Sequence, residues 1–452
     1  MKGKRAQLFE AKWFSFVIAL LVFAVFAFLQ YQTRIPEQME DAVLDMHYRI
    51  KMGKESHSVQ AGAVLTRQDM KLSKDILILG VDTKTLSEYG KWPFPRSRHA
   101  DLVNAFAHLS NQANRESALF VDFFFIEPDT NPTNDALLVD AIANSKTTFL
   151  ETILNAAGSA SAQDSEVARQ QALYDTHGRI SNVKGDWKSI RVQYGIEPPL
   201  EAYARASGGY GHANYFADSD AMYRRQPMVL RSAVLQRTIR LDELSPGYSV
   251  NAAVFEHLSW EDSQGRIHDI QTPITEAYLT ALRSRMEREA PLRVEDIDLD
   301  GVPEDSFHVI SFYKDEFVPS ITLSLALNYF HRSLQEVEVV AGSHILIPSP
   351  MVLDQASGEL VPYFIQVKPD VFDADNNLVA EGERRPVPEI RIPINENGEM
   401  LINFMGPRSS PDPEGKQTFP VRSYATYASR DPGPDPASWR RTLAVTNKII
   451  MV

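Results

Sequence analysis

Hydrophobic positions fall into two N-terminal patterns. Residues 13–29 read WFSFVIALLVFAVFAFL, with no charge and one hydroxyl, Ser15. Twelve of the residues from Phe14 to Leu29 are Leu, Ile, Val or Phe, worth roughly 4–7 kcal/mol for mid-membrane insertion. Extended to Tyr31, the run gives about 28 Å of helix, close to the hydrocarbon thickness. Trp13 and Tyr31 stand where interfacial aromatics belong. The pattern predicts a transmembrane helix over 13–31. The run ends Phe28-Leu29-Gln30-Tyr31, without the small-x-small site of a cleaved signal peptide. In the second pattern Ile35, Met39, Val43, Met46 and Ile50 recur at helical spacing, which predicts an amphipathic juxtamembrane helix. Its apolar stripe packs either on the following domain or on a twin chain.

Farther on the periodicity changes. Residues 74–82 (KDILILGVD) and 117–125 (SALFVDFFF) are short continuous apolar runs, as expected of strands buried on both faces. Leu102, Val103, Phe106 and Leu109 mark a helix between them, starting near Arg98, so a right-handed βαβ unit is expected. Asn134 is placed to cap a helix carrying Leu137, Leu138, Ala141 and Ile142, and 147–150 reads as a third strand. This predicts an α/β fold, a sheet with helices on its faces, behind one N-terminal membrane helix.

Strands are also expected at 228–235 and 343–347, and a helix opened by Ser320 and running to about His331. Asn397-Gly398 between the apolar runs 390–394 and 400–404 is a hairpin signal. A last apolar strand begins at Asn447, and its break at Val452 suggests a fragment of a longer protein. The stretches near 156–188 and 259–304 read as surface insertions, and 407–436 as Pro-rich and irregular. The organisation is therefore a cytoplasmic N-terminus (1–12), a membrane helix (13–31), a juxtamembrane helix and linker (32–74) and an extracytoplasmic domain (75–452).

Charge sets the orientation. Lys2, Lys4, Arg5 and Lys12 precede the apolar run, whereas Glu37, Glu40 and Asp41 follow it, so the positive-inside rule leaves the N-terminus in the cytoplasm. The net charge of -13 argues against nucleic acid as a partner. The absence of cysteine excludes disulfides, thiolate catalysis and Cys-based zinc sites. No HExxH spacing and no G-x-S-x-G elbow occurs, so neither catalytic residues nor a cofactor or metal is assigned.

The order of the motifs carries a resemblance. Asp75 to Asp82, Gly90-Lys91-Trp92-Pro93-Phe94-Pro95-Arg96 and Phe120-Val121-Asp122-Phe123-Phe124-Phe125 come first. Gly211-His212-Ala213-Asn214 follows, with Asp218, Asp220, Arg224, Arg225 and Pro227, then Pro319-Ser320-Ile321-Thr322-Leu323. Asn397-Gly398 through Ile402-Asn403-Phe404-Met405-Gly406 and Lys448-Ile449-Ile450-Met451-Val452 close the series. Together they resemble the second-type CHASE sensory domain. The resemblance implies an extracytoplasmic signal-input domain in the inner membrane of a bacterium. Its output is most often a class III adenylate or guanylate cyclase, and sometimes a histidine kinase. It also implies homodimerisation, and a small molecule or periplasmic protein as the signal. Asp220 is followed by Ala221 and Met222 where the family commonly has Gly, which predicts a different turn there.

Candidate ligand-binding residues are few. Asp82 and Asp122 end buried strands, where ligands of open α/β sheets sit; they hold a ligand or metal, or else cap loops or pair with a base such as Arg96. A periplasmic metal-dependent hydrolase built on these two acids is the enzyme alternative. Trp92-Pro93-Phe94-Pro95-Arg96 is a stiff loop that walls a cleft or packs on the sheet. Arg224 and Arg225 beside Asp218 and Asp220 bind an anion or form a local ion-pair network. Asn214 and Asn403 read as residues that satisfy backbone. A purely structural dimerisation module is the remaining alternative.

Overall fold

The computed structural model describes residues 12–32, 35–54, 73, 75–109, 111, 114–156, 178–295, 305–354, 357–373, 377–406, 409, 418–428 and 445–452. Two helices come first, α1 (Lys12–Gln32) and α2 (Ile35–Lys54). Among the described residues no helix is long and apolar enough to cross a membrane. The crossing expected over 13–31 is therefore not met among them. The side chains described in α1 are those of residues 15–28, about 21 Å of helix against about 30 Å of hydrocarbon. They pack on no core: Phe16, Leu21, Phe23 and Phe26 are 62–70% exposed.

Strands and helices then alternate: β1 (Ile76–Gly80), α3 (Thr83–Tyr89), α4 (Arg96–Ala107), β2 (Ala118–Phe120), α5 (Pro132–Ser145) and β3 (Thr148–Asn155). α5 starts earlier than expected. Its cap is Asn131, whose Oδ1 accepts from the Thr133 amide at 3.1 Å, not Asn134. Pro132, with its preset φ and no amide to satisfy, holds the first helical position. The chain continues through β4 (Asn182–Lys184), β5 (Val192–Gln193), β6 (Gly195–Glu197), α6 (Glu201–Ala206), β7 (Gly209–His212), β8 (Arg225–Pro227), β9 (Val229–Arg240), β10 (Glu256–Glu261), β11 (Ile267–Ile270), α7 (Glu276–Glu289), β12 (Val309–Pro319) and α8 (Ile321–Tyr329). β13 (Glu338–Val340), β14 (His344–Pro348), β15 (Glu389–Pro393), β16 (Glu399–Leu401), β17 (Val421–Ser423), α9 (Tyr424–Tyr427) and β18 (Ile449–Met451) complete it, apart from small two-stranded ribbons.

The main sheet runs β17-β1-β18-β2-β3 with all strands parallel, and the outer edge of β3 takes β7 in parallel and β6 in antiparallel register. Both faces are apolar because successive side chains alternate. Leu77, Leu79, Leu119, Leu150 and Ile450 face α4, α5 and Tyr424. Phe120, Phe149, Ile449 and Met451 face Ile321 and Leu325 of α8. The expected sheet with helices on its faces is present. β1 and β2 share it, but β18 lies between them rather than the two pairing directly.

Two further sheets pack beside it, β11-β10-β12-β9-β5 and β15-β14-β13-β4. In the first, Trp260 and Ile270 bury against Leu279, Leu282 and Met286 of α7. Much of 259–304, expected as a surface insertion, thus joins a core with Ile239, Leu241 and Ile310; the charged residues of α7 lie on its outer face. Of 156–188, residues 157–177 lie outside the described residues, Ile180 is buried and β4 pairs with β13. At 395–399 the Asn395 amide donates to Glu399 O at 2.9 Å and Gly398 N to Asn395 O at 3.0 Å. The turn forms, but no hairpin does: β15 joins β14 and β16 joins β8.

Helix α8 begins as expected after Ser320, whose Oγ accepts from the Leu323 amide at 3.1 Å. β7 crosses this helix start so closely that a Cβ on Gly211 would lie 2.5 Å from Ile321 N. By contrast, a Cβ on Gly80 would meet only Val421 Cγ1, at 3.7 Å. Gly211→Ala is therefore expected to lower stability by about 1–3 kcal/mol, and Gly80→Ala to change it by less than about 1 kcal/mol. Urea melts of the two variants check this, and equal midpoints would contradict the packing described.

Candidate functional site

α2 docks on the domain by its polar face. Arg224, directly before β8, is 2% exposed. Its Nε and NH2 donate to the two oxygens of Asp45 on α2, both at 2.9 Å, a bidentate pair. NH1 donates to Asp218 at 3.0 Å, and NH1 and NH2 reach Asp220 at 2.9 and 2.7 Å. Asp41, one turn before Asp45, lies 3.9 Å from the guanidinium and is buried. Burial pushes the Asp41 carboxyl up despite Arg224. The hydrogen bonds from Arg224 hold Asp220 down at about 2 and lower Asp45. Arg225 reaches the other oxygen of Asp218 at 3.3 Å.

A second contact lies toward the end of α2. Tyr48 OH donates to Ile402 O at 2.8 Å, and its ring meets Phe404 edge-on with centroids 5.1 Å apart. Lys51 Nζ donates to Asn403 Oδ1 at 2.5 Å. The amide of Ile402 in turn donates to Arg224 O at 2.9 Å. The 402–406 segment has no strand partner. It lies over the β1–β17 side of the main sheet and lines a half-open cavity of about 600 Å³ with Ile78, Gly80, Phe419 and Val421. This cavity and the α2 contact were not expected from sequence. The one available signal was the apolar run 400–404, which the hairpin reading absorbed.

With α2 held this way, its apolar stripe faces outward. Ile35, Met39, Val43, Met46 and Ile50 are 46–66% exposed. Among the described residues the stripe is not buried against the domain, unlike the first of the two expected placements.

The other expected site residues are dispersed. Asp82 caps α3, accepting from Thr85 N at 2.8 Å, Thr85 Oγ1 at 2.7 Å and Ser423 Oγ at 2.8 Å. Burial alone would raise its pKa; these donors leave it lowered. Trp92 meets Phe94 edge-on, 5.1 Å away, and tilts over Phe123, also 5.1 Å away, but stays 39% exposed; the buried Phe94 sets the stiff loop against the Tyr89, His99 and Tyr424 rings of α3, α4 and α9. Arg96 pairs with Asp135 and Glu127 O, not with Asp82 or Asp122, and its guanidinium lies over the Phe125 and Tyr203 rings. Asp122 is exposed at the end of β2, beside the buried Glu151 of β3. β18 separates β1 from β2, so Asp82 and Asp122 sit on strands about 10 Å apart. Among the described residues no three His, Asp or Glu side chains converge as a metal set. Asn214 pairs both ways with the Leu154 backbone, at 2.9 and 2.7 Å, as a backbone-satisfying residue should. Ala221 adopts φ 64°, the left-handed geometry that Gly takes without strain.

A parallel sheet covered on both faces by helices, with a polar-docked helix leading in, defines an α/β domain. The family model described as "CHASE2 domain" matches residues 17–293, more than half of the chain. The chain belongs to the CHASE2 family, an extracytoplasmic sensory domain type found in signalling proteins. The motifs at 319–323, 397–406 and 448–452 lie outside the matched residues. No curated protein and no solved structure gives a significant match.

Two predictions concern these groups. Arg224→Met leaves Asp41 and Asp218 without their main counter-charge and should cost about 3–5 kcal/mol. Hydrogen exchange over 35–54 should accelerate in that variant, and unchanged protection would show that Arg224 does not hold α2. Glu151 is 2% exposed, neither oxygen has a partner of hydrogen-bond geometry, and burial followed by Asp122 pushes its pKa up to about 9. The unfolded chain releases this proton near pH 4.5, while the folded chain keeps it until about pH 9, so stability falls as pH rises between them. Glu151→Gln should therefore raise the melting temperature more at pH 8 than at pH 4, and an equal change at both would contradict it.

Proposed function

We propose that this chain is the signal-input part of a membrane-anchored receptor. In this reading α1, over its full 21 residues, is the anchor. Its N-terminus lies inside and the domain outside, at the inner membrane, and α2 links the two. Two chains pair through the outward stripe of α2, and the state of the domain sets how the paired helices lie. The output, by the family resemblance, is cyclic nucleotide synthesis by a class III cyclase, with a histidine kinase as the alternative. The observation that carries the reading is the orientation of α2. Its polar face is bound to the sensory domain by Arg224, while Met39, Val43, Met46 and Ile50 remain 47–66% exposed at 4-3-4 spacing, as in a coiled-coil seam. The same stripe also favours a module that only dimerises and orients its output.

Because the chain has no cysteine, single cysteines report position cleanly. Val43→Cys in intact cells is expected to react with a membrane-impermeant maleimide and to form disulfide-linked dimers under mild oxidant. Ala6→Cys should stay unlabelled until the membrane is permeabilised. Labelling of Cys at 6 in intact cells would refute the anchor, and a Val43→Cys chain that stays monomeric would refute the seam.

A further inference from the structure

The main sheet is covered unequally. On the face opposite α4 and α5, helix α8 seals β18, β2 and β3 through Ile321 and Leu325. At β1 and β17 the same face presents Ile78, Gly80 and Val421 to the 402–406 segment across the cavity of about 600 Å³. Such a volume falls in the range of small-molecule sites. Ile402, Phe404, Met405 and Phe419 make the lining predominantly apolar, so it offers water few partners. The acid at its rim, Asp82, has one oxygen committed to three donors, two from Thr85 and one from Ser423. The other charged lining residue, Arg422, donates from NH1 to Val421 O at 2.8 Å, so the rim carries one charge of each sign around an apolar interior.

The wall of this cavity is also the seat of α2. Ile402 donates its amide to Arg224 O at 2.9 Å and accepts from Tyr48 OH at 2.8 Å, and Phe404 meets the Tyr48 ring. We propose that the cavity binds a neutral, predominantly apolar small molecule, and that its occupancy is relayed to α2 through the 402–406 segment and Tyr48. This rests on the sensory reading above and names its ligand class and route. A ligand that displaces Phe404 favours one seating of α2 by the difference in its affinity for the two arrangements.

The test uses the full chain in lipid nanodiscs with N-phenyl-1-naphthylamine, a neutral apolar fluorophore. Gly80→Leu supplies the blocked site, since a Cβ there meets only Val421 Cγ1 at 3.7 Å. Gly80→Val serves if the leucine variant does not fold. Wild type is expected to show a saturable component of about one fluorophore per chain over the lipid background, and the blocked variant to bind at least tenfold more weakly at an unchanged melting temperature. On addition of the fluorophore, hydrogen exchange over 35–54 should change in wild type, and by less than half as much in Tyr48→Phe. Equal binding by wild type and the blocked variant, or no saturable component, overturns the site. Saturable binding without any change over 35–54 overturns the relay. The Val43→Cys dimer assay separates this from the pairing of chains: dimers without fluorophore binding leave the seam standing and refute the cavity proposal, while binding without dimers refutes the seam and leaves the cavity site standing.

Discussion

A guanidinium removed from water must be matched on every edge, and Arg224 meets that demand with carboxylates from two parts of the chain. Asp218 and Asp220 come from its own loop and Asp45 from α2, 179 residues away in sequence. Removing a charge from water costs several kcal/mol unless the geometry of its partners is good, so this requirement fixes more than a local ion pair. It selects the acidic face of α2 for the domain and turns Met39, Val43 and Met46 outward. Through its carbonyl the same residue holds Ile402. The lead-in helix, the loop carrying the acids and the wall of the cavity therefore meet at one residue.

The parallel sheet supplies the rigid body against which these parts are set. Helices on both faces bury its central strands, as a parallel sheet requires. The side at β1 and β17 is the exception, because the segment covering it carries no regular pairing and touches α2 on its far side. The titratable groups that part company with their ordinary values do so for separate reasons. Asp220 and Asp45 are held down by Arg224, whereas Glu151 is pushed up by burial beside Asp122.

Much of the scaffold was legible in the sequence, and much of the site was not. The runs at 74–82 and 117–125 gave buried strands because a strand covered on both faces leaves no polar alternation. Ser320 marked its helix correctly, but Asn134 did not, since Pro132 lets Asn131 cap three residues earlier. The periodicity of Ile35 to Ile50 showed an amphipathic helix without showing which face would dock, because the deciding partner, Arg224, is distant in sequence. Asp82, Trp92 and Arg96 were visible as unusual residues, yet each is used up by a local cap, ring contact or ion pair. The cavity escaped because its lining is assembled from residues 78 and 80–82, 402–406 and 409, and 418–419 and 421–422, with no shared motif.

The position of β18 bears on how the domain comes into being. Its pairing with β1 and with β2 joins positions more than 300 residues apart, a contact order that makes folding slow. β1 and β2 are synthesised early but have no strand between them until residues 449–451 arrive. During export the apolar edges of both strands stay open, and closure of the sheet waits on the last of its strands to emerge. A chain halted short of that strand would present two unpaired parallel edges, the kind of surface that chaperones recognise and that aggregates when they do not.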